Sequence, residues 1–137
     1  MFDKLVGRTG LMEKALDAAW LRDEVISSNL ANIDTPNYKR KTVAFEKYLN
    51  DALDKGKIKG NKTDERHISI GKKDLNEVKI TVNEDNSASS IRLDGNNVDV
   101  EVEMAEMAKN TIKYNTVIQS LNAELNRLKT VITNGGR

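Results

Sequence analysis

A nucleophile–base pair in this chain would have to use His67, the only histidine. It lies between Arg66 and Ile68 in a stretch rich in Gly and Lys, and it reads as an exposed loop or strand residue. Cysteine is absent, which removes disulfides, thiolate chemistry and Cys-ligated metals. One histidine cannot form a His-cluster metal site. Carboxylates are plentiful, but Asp99, Glu101, Glu103 and Glu106 gather at the start of a predicted helix. Negative charge there complements the helix dipole and needs no catalytic role. The glycines are isolated, so no phosphate-cradling loop is present. The chain is expected to be no enzyme and to carry no metal or other cofactor.

Lys55 to Lys73 holds seven basic residues against Asp64 and Glu65. A single-strand nucleic-acid binder interleaves such charges with aromatic rings, and this segment has none. It reads as a solvated loop, with contact to an acidic partner surface as the functional alternative. Over the whole chain, 22 Lys and Arg offset 21 Asp and Glu, a balance unlike that of a dedicated nucleic-acid or anionic-membrane binder. No segment has the roughly 18 apolar residues of a membrane span. The first ten residues carry Asp3, Lys4 and Arg8 and no apolar run, so no cleaved signal peptide is expected.

The elements that must position these residues are mostly helices. Only one proline, Pro36, occurs, and the stretches 11–35 and 96–134 are free of both Pro and Gly. In the second stretch Met104, Met107, Thr111, Tyr114, Ile118, Leu121, Leu125, Leu128 and Ile132 follow alternating steps of three and four. That is a heptad seam, with Met104 and Met107 read as seam core rather than as a docking face. Asn97 or Asp99 is a suitable cap, and Asn134-Gly135-Gly136 ends the helix. In the first stretch Leu5, Met12, Ala19, Ile26 and Ile33 lie seven apart, with Leu16, Asp23 and Leu30 between them. Ala15, Ala18 and Ala19 allow close approach of a second helix. Gly7 and Gly10 place the start of regular helix near Leu11. Asn32 is expected to close it in a left-handed conformation.

Thr35-Pro36-Asn37-Tyr38 reads as a type II turn: Pro presets φ at the second position and Asn accepts positive φ at the third. A short amphipathic helix is expected over 44–53 and a strand over 78–82, with a weaker strand at 67–70 and loop over 83–90. Asn29 and Asn32, three apart on one helix face, can bond groups at the helix end and its neighbour. Only 4% of residues are aromatic, so the chain builds a thin core of its own. The expected fold is mainly α: long N- and C-terminal helices paired as a coiled-coil-like hairpin, with a small irregular or β middle. Its expected divisions are 1–35, 36–97 and 98–137.

One stretch is far more specific than periodicity. Ser27-Ser28 is followed by Asn29-Leu30-Ala31-Asn32, two residues, Thr35, Pro36-Asn37 and Tyr38-Lys39. It resembles the N-terminal motif of the bacterial flagellar axial proteins, the rod, hook and hook-associated subunits. The order of motif helix, variable middle and C-terminal heptad helix is also similar. The short length resembles a proximal rod protein, because hook and distal rod proteins carry large inserted domains. So do Asp94-Gly95-Asn96-Asn97-Val98-Asp99, the run Glu103 to Ala108, Asn110 and Tyr114-Asn115. The sister proximal rod protein FlgC shares the first motif, but its C-terminal helix reads differently. Asn37 departs from the usual Gly, and both accept positive φ.

The resemblance implies a structural subunit exported unfolded through the flagellar type III apparatus and assembled into a helical tube. The implied location is the rod of the basal body in the cell envelope. Implied partners are other copies of the chain, the rod proteins FlgC and FliE, the MS-ring protein FliF and the export gate. No nucleic acid and no membrane insertion is implied. The resemblance puts Asn29, Leu30, Ala31, Asn32, Thr35, Pro36, Tyr38 and Lys39 in the family motif. Leu16, Ile26, Leu30 and the heptad residues Met104 to Ile132 are expected to pack in assembly, with Leu121, Leu125 and Leu128 at the centre. Phe45 and Leu49 resemble the Phe-x-x-x-apolar signal read by the export gate, and serve equally as core contacts of a short helix. A coiled-coil adaptor or chaperone of the cytoplasm, and a basic-loop binder, are readings from other classes; neither accounts for the motif at 29–39.

Overall fold

The computed structural model describes residues 2–54, 80–85 and 93–135, with side chains from residue 9 onward and to residue 50 in the first of these segments. Three helices and two short strands follow in the order α1 (Phe2–Ala31), β1 (Lys41–Ala44), α2 (Glu46–Asp54), β2 (Thr81–Glu84) and α3 (Val100–Asn134). α1 and α3 pack on each other, and β1 leans on α1. At 1.5 Å per residue the 30 residues of α1 and 35 of α3 span ~45 and ~52 Å. The mainly helical hairpin with a small strand middle is the expected fold.

α1 is longer than its glycines suggest. It runs unbroken through Gly7 and Gly10 instead of starting near Leu11. A helical glycine costs only about 1 kcal/mol, which flanking helix formers and packing on α3 offset. Asn32 does not close the helix with a left-handed backbone; among the described residues other than Gly, only Asn37 has positive φ. Instead the Asn32 amide donates to the Ser28 carbonyl four residues back, at 2.8 Å.

β1 and β2 pair antiparallel, Lys41 opposite Glu84 and Ala44 opposite Thr81. β1 is invisible to a period-two count because it is four residues long and half-buried on every side chain. β2 takes in Asn83 and Glu84, which read as loop in the sequence; residues 67–70 and 78–79, His67 and the basic segment 55–73 lie outside the described residues. α2 begins at Glu46, because Ala44 belongs to β1. The apolar centre is small: Ala18 and Phe45, with Ala15, Leu49 and Ile80 against them.

The heptad seam of α3 divides into two columns. In one, Met107, Leu121 and Leu128 are half-buried, and Tyr114 is just exposed. The other column faces solvent, with Met104, Leu125 and Ile132 at 52%, 49% and 67% exposure. Its place is taken by Glu103, Asn110, Val117 and Glu124. The reason is polar: Glu103 and Asn110 each find a partner on or beside α1, and meeting both rotates α3 by one position.

Candidate functional site

The joint of the hairpin forms where the chain leaves α1 and where it enters α3. Asn29 is fully buried on the last turn of α1. Its amide donates to the Lys41 carbonyl at 2.9 Å and accepts from the Lys41 N–H at 3.0 Å. The side chain thus acts as a strand neighbour on the edge of β1. The same amide donates to Glu103 Oε2 at 3.1 Å and accepts from the Tyr38 hydroxyl at 3.2 Å. Two donors and two acceptor positions are filled, the full capacity of an Asn amide.

Glu103, wholly buried on the first turns of α3, accepts from Arg40 Nε through its other oxygen. A buried carboxylate survives only when paired and hydrogen-bonded, and both conditions are met. Arg40 also joins the strand ladder. Its carbonyl accepts from the Asp85 N–H at 2.8 Å. The reciprocal bond runs through Asn97, which accepts from Arg40 N–H at 2.7 Å and donates to the Asp85 carbonyl at 2.8 Å.

Asn96, also fully buried, ties the other side of the joint. Its Nδ2 lies 2.9–3.0 Å from the carbonyls of Asn32, Ile33 and Thr35. Those carbonyls lie just past the end of α1, where no following helical turn supplies donors. A side chain 60 residues downstream does so instead. Asn96 Oδ1 accepts from Val98 N–H at 2.8 Å, which holds the approach to α3. Asp99 then caps α3, accepting from the Glu101 N–H at 2.9 Å.

The turn 35–38 closes through Tyr38 N–H to the Thr35 carbonyl at 3.3 Å, with φ of 61° at Asn37. Asn37 lies against Gly95, whose own φ is 85°. A Cβ on Gly95 would sit 2.5 Å from Asn37 Oδ1, a contact that a turn of that exposed side chain relieves, so it is the φ of 85° that favours glycine here. Asn37 N–H donates to the Asp94 carbonyl at 3.0 Å, and Lys39 Nζ to the Gly95 carbonyl at 2.9 Å. The bonds of Asn37 to Asp94, Lys39 to Gly95, Arg40 to Asn97 and Glu103, Asn29 to Glu103, and Asn96 to the carbonyls after α1 join 29–41 to 94–103.

One helical span further along the hairpin, Asn110 repeats the device. It is buried and donates to the Ala19 carbonyl at 2.8 Å, an approach the small Ala18 and Ala19 allow. Arg22 donates to Asn110 Oδ1 at 3.3 Å and to Glu46 at 2.7 Å. Lys113 completes this cluster on Glu46 at 3.1 Å. Burial acts to raise the Glu46 pKa, but its own backbone N–H, Lys113 and Arg22 together hold it below 4.5.

Of the motif residues, Asn29, Asn32, Thr35, Tyr38 and Lys39 make these bonds; Leu30 is half-buried, and Ala31 and Pro36 are exposed. Leu16 is half-buried, Ile26 buried, and Phe45 and Leu49 sit in the apolar cluster. Sequence periodicity missed Asn110, Arg40 and Asn97 as organising residues. A polar residue in step with Glu103, seven positions on, was the available signal. Among the described residues no group of three or more acidic or His side chains is placed to hold a metal ion. No described helix is long and apolar enough to cross a membrane.

Comparison with known proteins converges on one family. A sequence profile described as flagella basal body rod protein matches residues 12–39, from α1 through the turn. The flagellar basal body rod protein FlgB of Bacillus subtilis is 41% identical over 90% of this chain and 92% of its own length. FlgB of Borreliella burgdorferi is 37% identical over 72% and 76%. FlgB of Yersinia enterocolitica is 29% identical over 98% of this chain and 100% of its own.

Proposed function

Because the chain belongs to the FlgB family of flagellar basal body rod proteins, we propose that it is a structural subunit of the proximal rod. In this reading it assembles with further copies and with FlgC and FliE into a helical tube. The tube joins the MS ring, built of FliF, and the export gate to the distal rod. The supporting observation is the outward column of α3. Met104, Leu125 and Ile132 are about half exposed or more, and Ile112 and Val131 on the same helix are 68% exposed. An isolated chain gains nothing from keeping these side chains in water, whereas a neighbouring subunit gains their burial. The remaining assigned packing residues, Leu16, Ile26, Leu30, Met107, Tyr114, Ile118, Leu121 and Leu128, would hold the hairpin that presents this column.

Phe45 is 4% exposed in the fold. Its role as an export-gate signal, with Leu49, would therefore belong to the unfolded chain before assembly. The motif residues Asn29 to Lys39 would keep the joint rigid within the tube. The test is mass spectrometry of purified hook–basal bodies from the source organism. The chain is expected there in stoichiometric amount. Its absence, with abundant chain in the cytosol, would refute the rod assignment.

A further inference from the structure

The asparagines that organise the hairpin have their amides tied up. Asn29, Asn96 and Asn97 are buried and hydrogen-bonded at the joint, and Asn110 is held in the same way on Ala19. Asn134 is the opposite case. It is exposed on the last turn of α3, and its side-chain amide has no hydrogen bond to a described residue. It is followed by Gly135, the one Asn-Gly pair in the chain. That pair carries its own chemistry. An Asn side-chain Cγ and the next backbone nitrogen can close a five-membered ring, and glycine puts no Cβ in the way of its nitrogen.

α3 supplies a gate on that reaction. Gly135 ends the helix with φ −77° and ψ −3°, and its N–H donates to the Val131 carbonyl at 2.8 Å. While the bond stands, the nitrogen is engaged, and the helical backbone of Asn134 does not present it to Cγ for ring closure. Little holds the gate shut. No basic residue in the last turn meets the helix dipole. Val131 and Ile132, in the same turn, are 68% and 67% exposed, so burial does not hold it either. Terminal turns of this kind open at almost no cost in free energy.

We propose that Asn134–Gly135 is a site of spontaneous deamidation, reached when the last turn of α3 opens and closed where a neighbouring copy covers Val131 and Ile132. The Gly135 nitrogen attacks Asn134 Cγ, and an N–Cγ bond forms. The Cγ–Nδ2 bond breaks, and the amide nitrogen leaves as ammonia with the proton that the backbone nitrogen gives up. Water then opens the succinimide at either carbonyl. The product at position 134 is an aspartate or, with the main chain rerouted through the side chain, an isoaspartate. Water is the co-reactant, and nothing is oxidised or reduced. The new carboxylate stands at the negative end of the α3 dipole, so the modification loosens the turn that delayed it. The site itself needs no partner. Its closure in an assembly rests on the rod reading, and makes the modification a mark of copies left outside the rod.

Peptide mapping of the purified full-length chain tests the site. Trypsin releases residues 130–137 as one peptide, in which deamidation shows as an amide-to-acid mass gain and a split chromatographic peak. On incubation at neutral pH this peptide is expected to gain acid while the peptides bearing Asn29, Asn96 and Asn97 do not. Guanidinium chloride removes the gate and should speed the gain about threefold, a modest factor because a terminal turn already opens in the fold. Gly135→Ala should slow it at least about tenfold, folded or denatured, by shielding the nitrogen. The added Cβ would lie 2.6 Å from the Val131 carbonyl oxygen and so loosen the turn; slowing cannot then come from a firmer helix. No gain at 130–137, or an equal gain in Gly135→Ala, overturns the site. Purified basal bodies incubated beside the free chain test the closure: copies within them should deamidate at least about tenfold more slowly, because a bound neighbour favours the closed turn. An equal rate in basal bodies that contain the chain overturns the closure and leaves the rod reading standing. Absence of the chain from basal bodies refutes the rod reading and the closure with it, while the site is decided by the free chain.

Discussion

At the joint, Asn29, Asn96, Asn97 and Glu103 are buried with their hydrogen-bond partners in place, and strands, turn and both helix ends are tied together. Toward the far end the same two helices run on, and no buried polar side chain lies there among the described residues. There α3 offers the half-buried Val117, Ile118, Leu121 and Leu128, and it leaves Leu125, Val131 and Ile132 in water. The two ends are specified by different physics. Hydrogen-bonded groups accept one partner geometry, so the joint fixes the rotation of α3 and the register of the hairpin. Apolar surface accepts any good fit, so the far end is complete only when something covers it. The joint dictates which faces point outward, and in the proposed rod reading those faces are left for a neighbouring subunit to cover.

Breaking the joint should have the largest effect on the chain by itself. Glu103→Ala strands Arg40 and one proton of the Asn29 amide, and loss of one partner of a buried pair costs ~3–5 kcal/mol. Urea unfolding of the purified chain followed at 222 nm by circular dichroism (a standard helix signal) should show most of its cooperative transition lost. Near-wild-type unfolding would mean that the joint does not organise the fold. Asn96→Ala comes next, at about 2 kcal/mol, since it uncovers carbonyls past α1 and frees the Val98 amide. Gly95→Ala should cost about 1–2 kcal/mol, because an L side chain is strained at a φ of 85°. Adding Asn37→Gly removes the side-chain oxygen nearest the new Cβ but keeps that φ, and should recover only a small part of the loss.

The same comparison sharpens at the far end. Leu125→Asp replaces a half-exposed side chain, so its effect on the isolated chain should stay within about 0.5 kcal/mol. Its effect on rod assembly should be complete, read as loss of swimming in soft agar with the chain still exported. A motile strain carrying Leu125→Asp would show that this column is not an assembly surface.

The contrast also explains what periodicity reveals. Alternating threes and fours located both long helices and one column of their contact, because hydrophobic spacing reports burial. It put Met104, Leu125 and Ile132 in one seam with the half-buried column, because the count cannot tell a seam within the chain from one awaiting another chain. It passed over Glu103, which read as a helix-start acid, and Asn110 until their partners Arg40, Asn29 and Ala19 are placed beside them. Those partners are 63 to 91 residues away, a distance no local pattern spans. β1 was hidden for a similar reason: its pairing is with β2 and with the Asn29 amide, and nothing in Lys41–Ala44 announces either. The turn at 35–38 was legible because Pro36 and Asn37 carry its geometry in their own backbones.

The smallest expected effect lies between the two ends, at the Arg22–Glu46–Lys113 cluster, where α1, α2 and α3 meet. Burial alone would raise the Glu46 pKa, and the backbone N–H, Lys113 and Arg22 outweigh it and bring it below 4.5. A carboxylate depressed in the fold binds its proton more readily when the chain unfolds. Its contribution is therefore fully present above pH 4.5 and disappears as pH falls through the lower folded value. The side chain is 48% exposed, so solvent screens much of this and the shift in thermal midpoint should be small. Glu46→Gln should flatten that part of the acid profile while leaving the midpoint at neutral pH only slightly lower. An acid profile of Glu46→Gln identical to that of the wild type would show that Glu46 makes no such contribution.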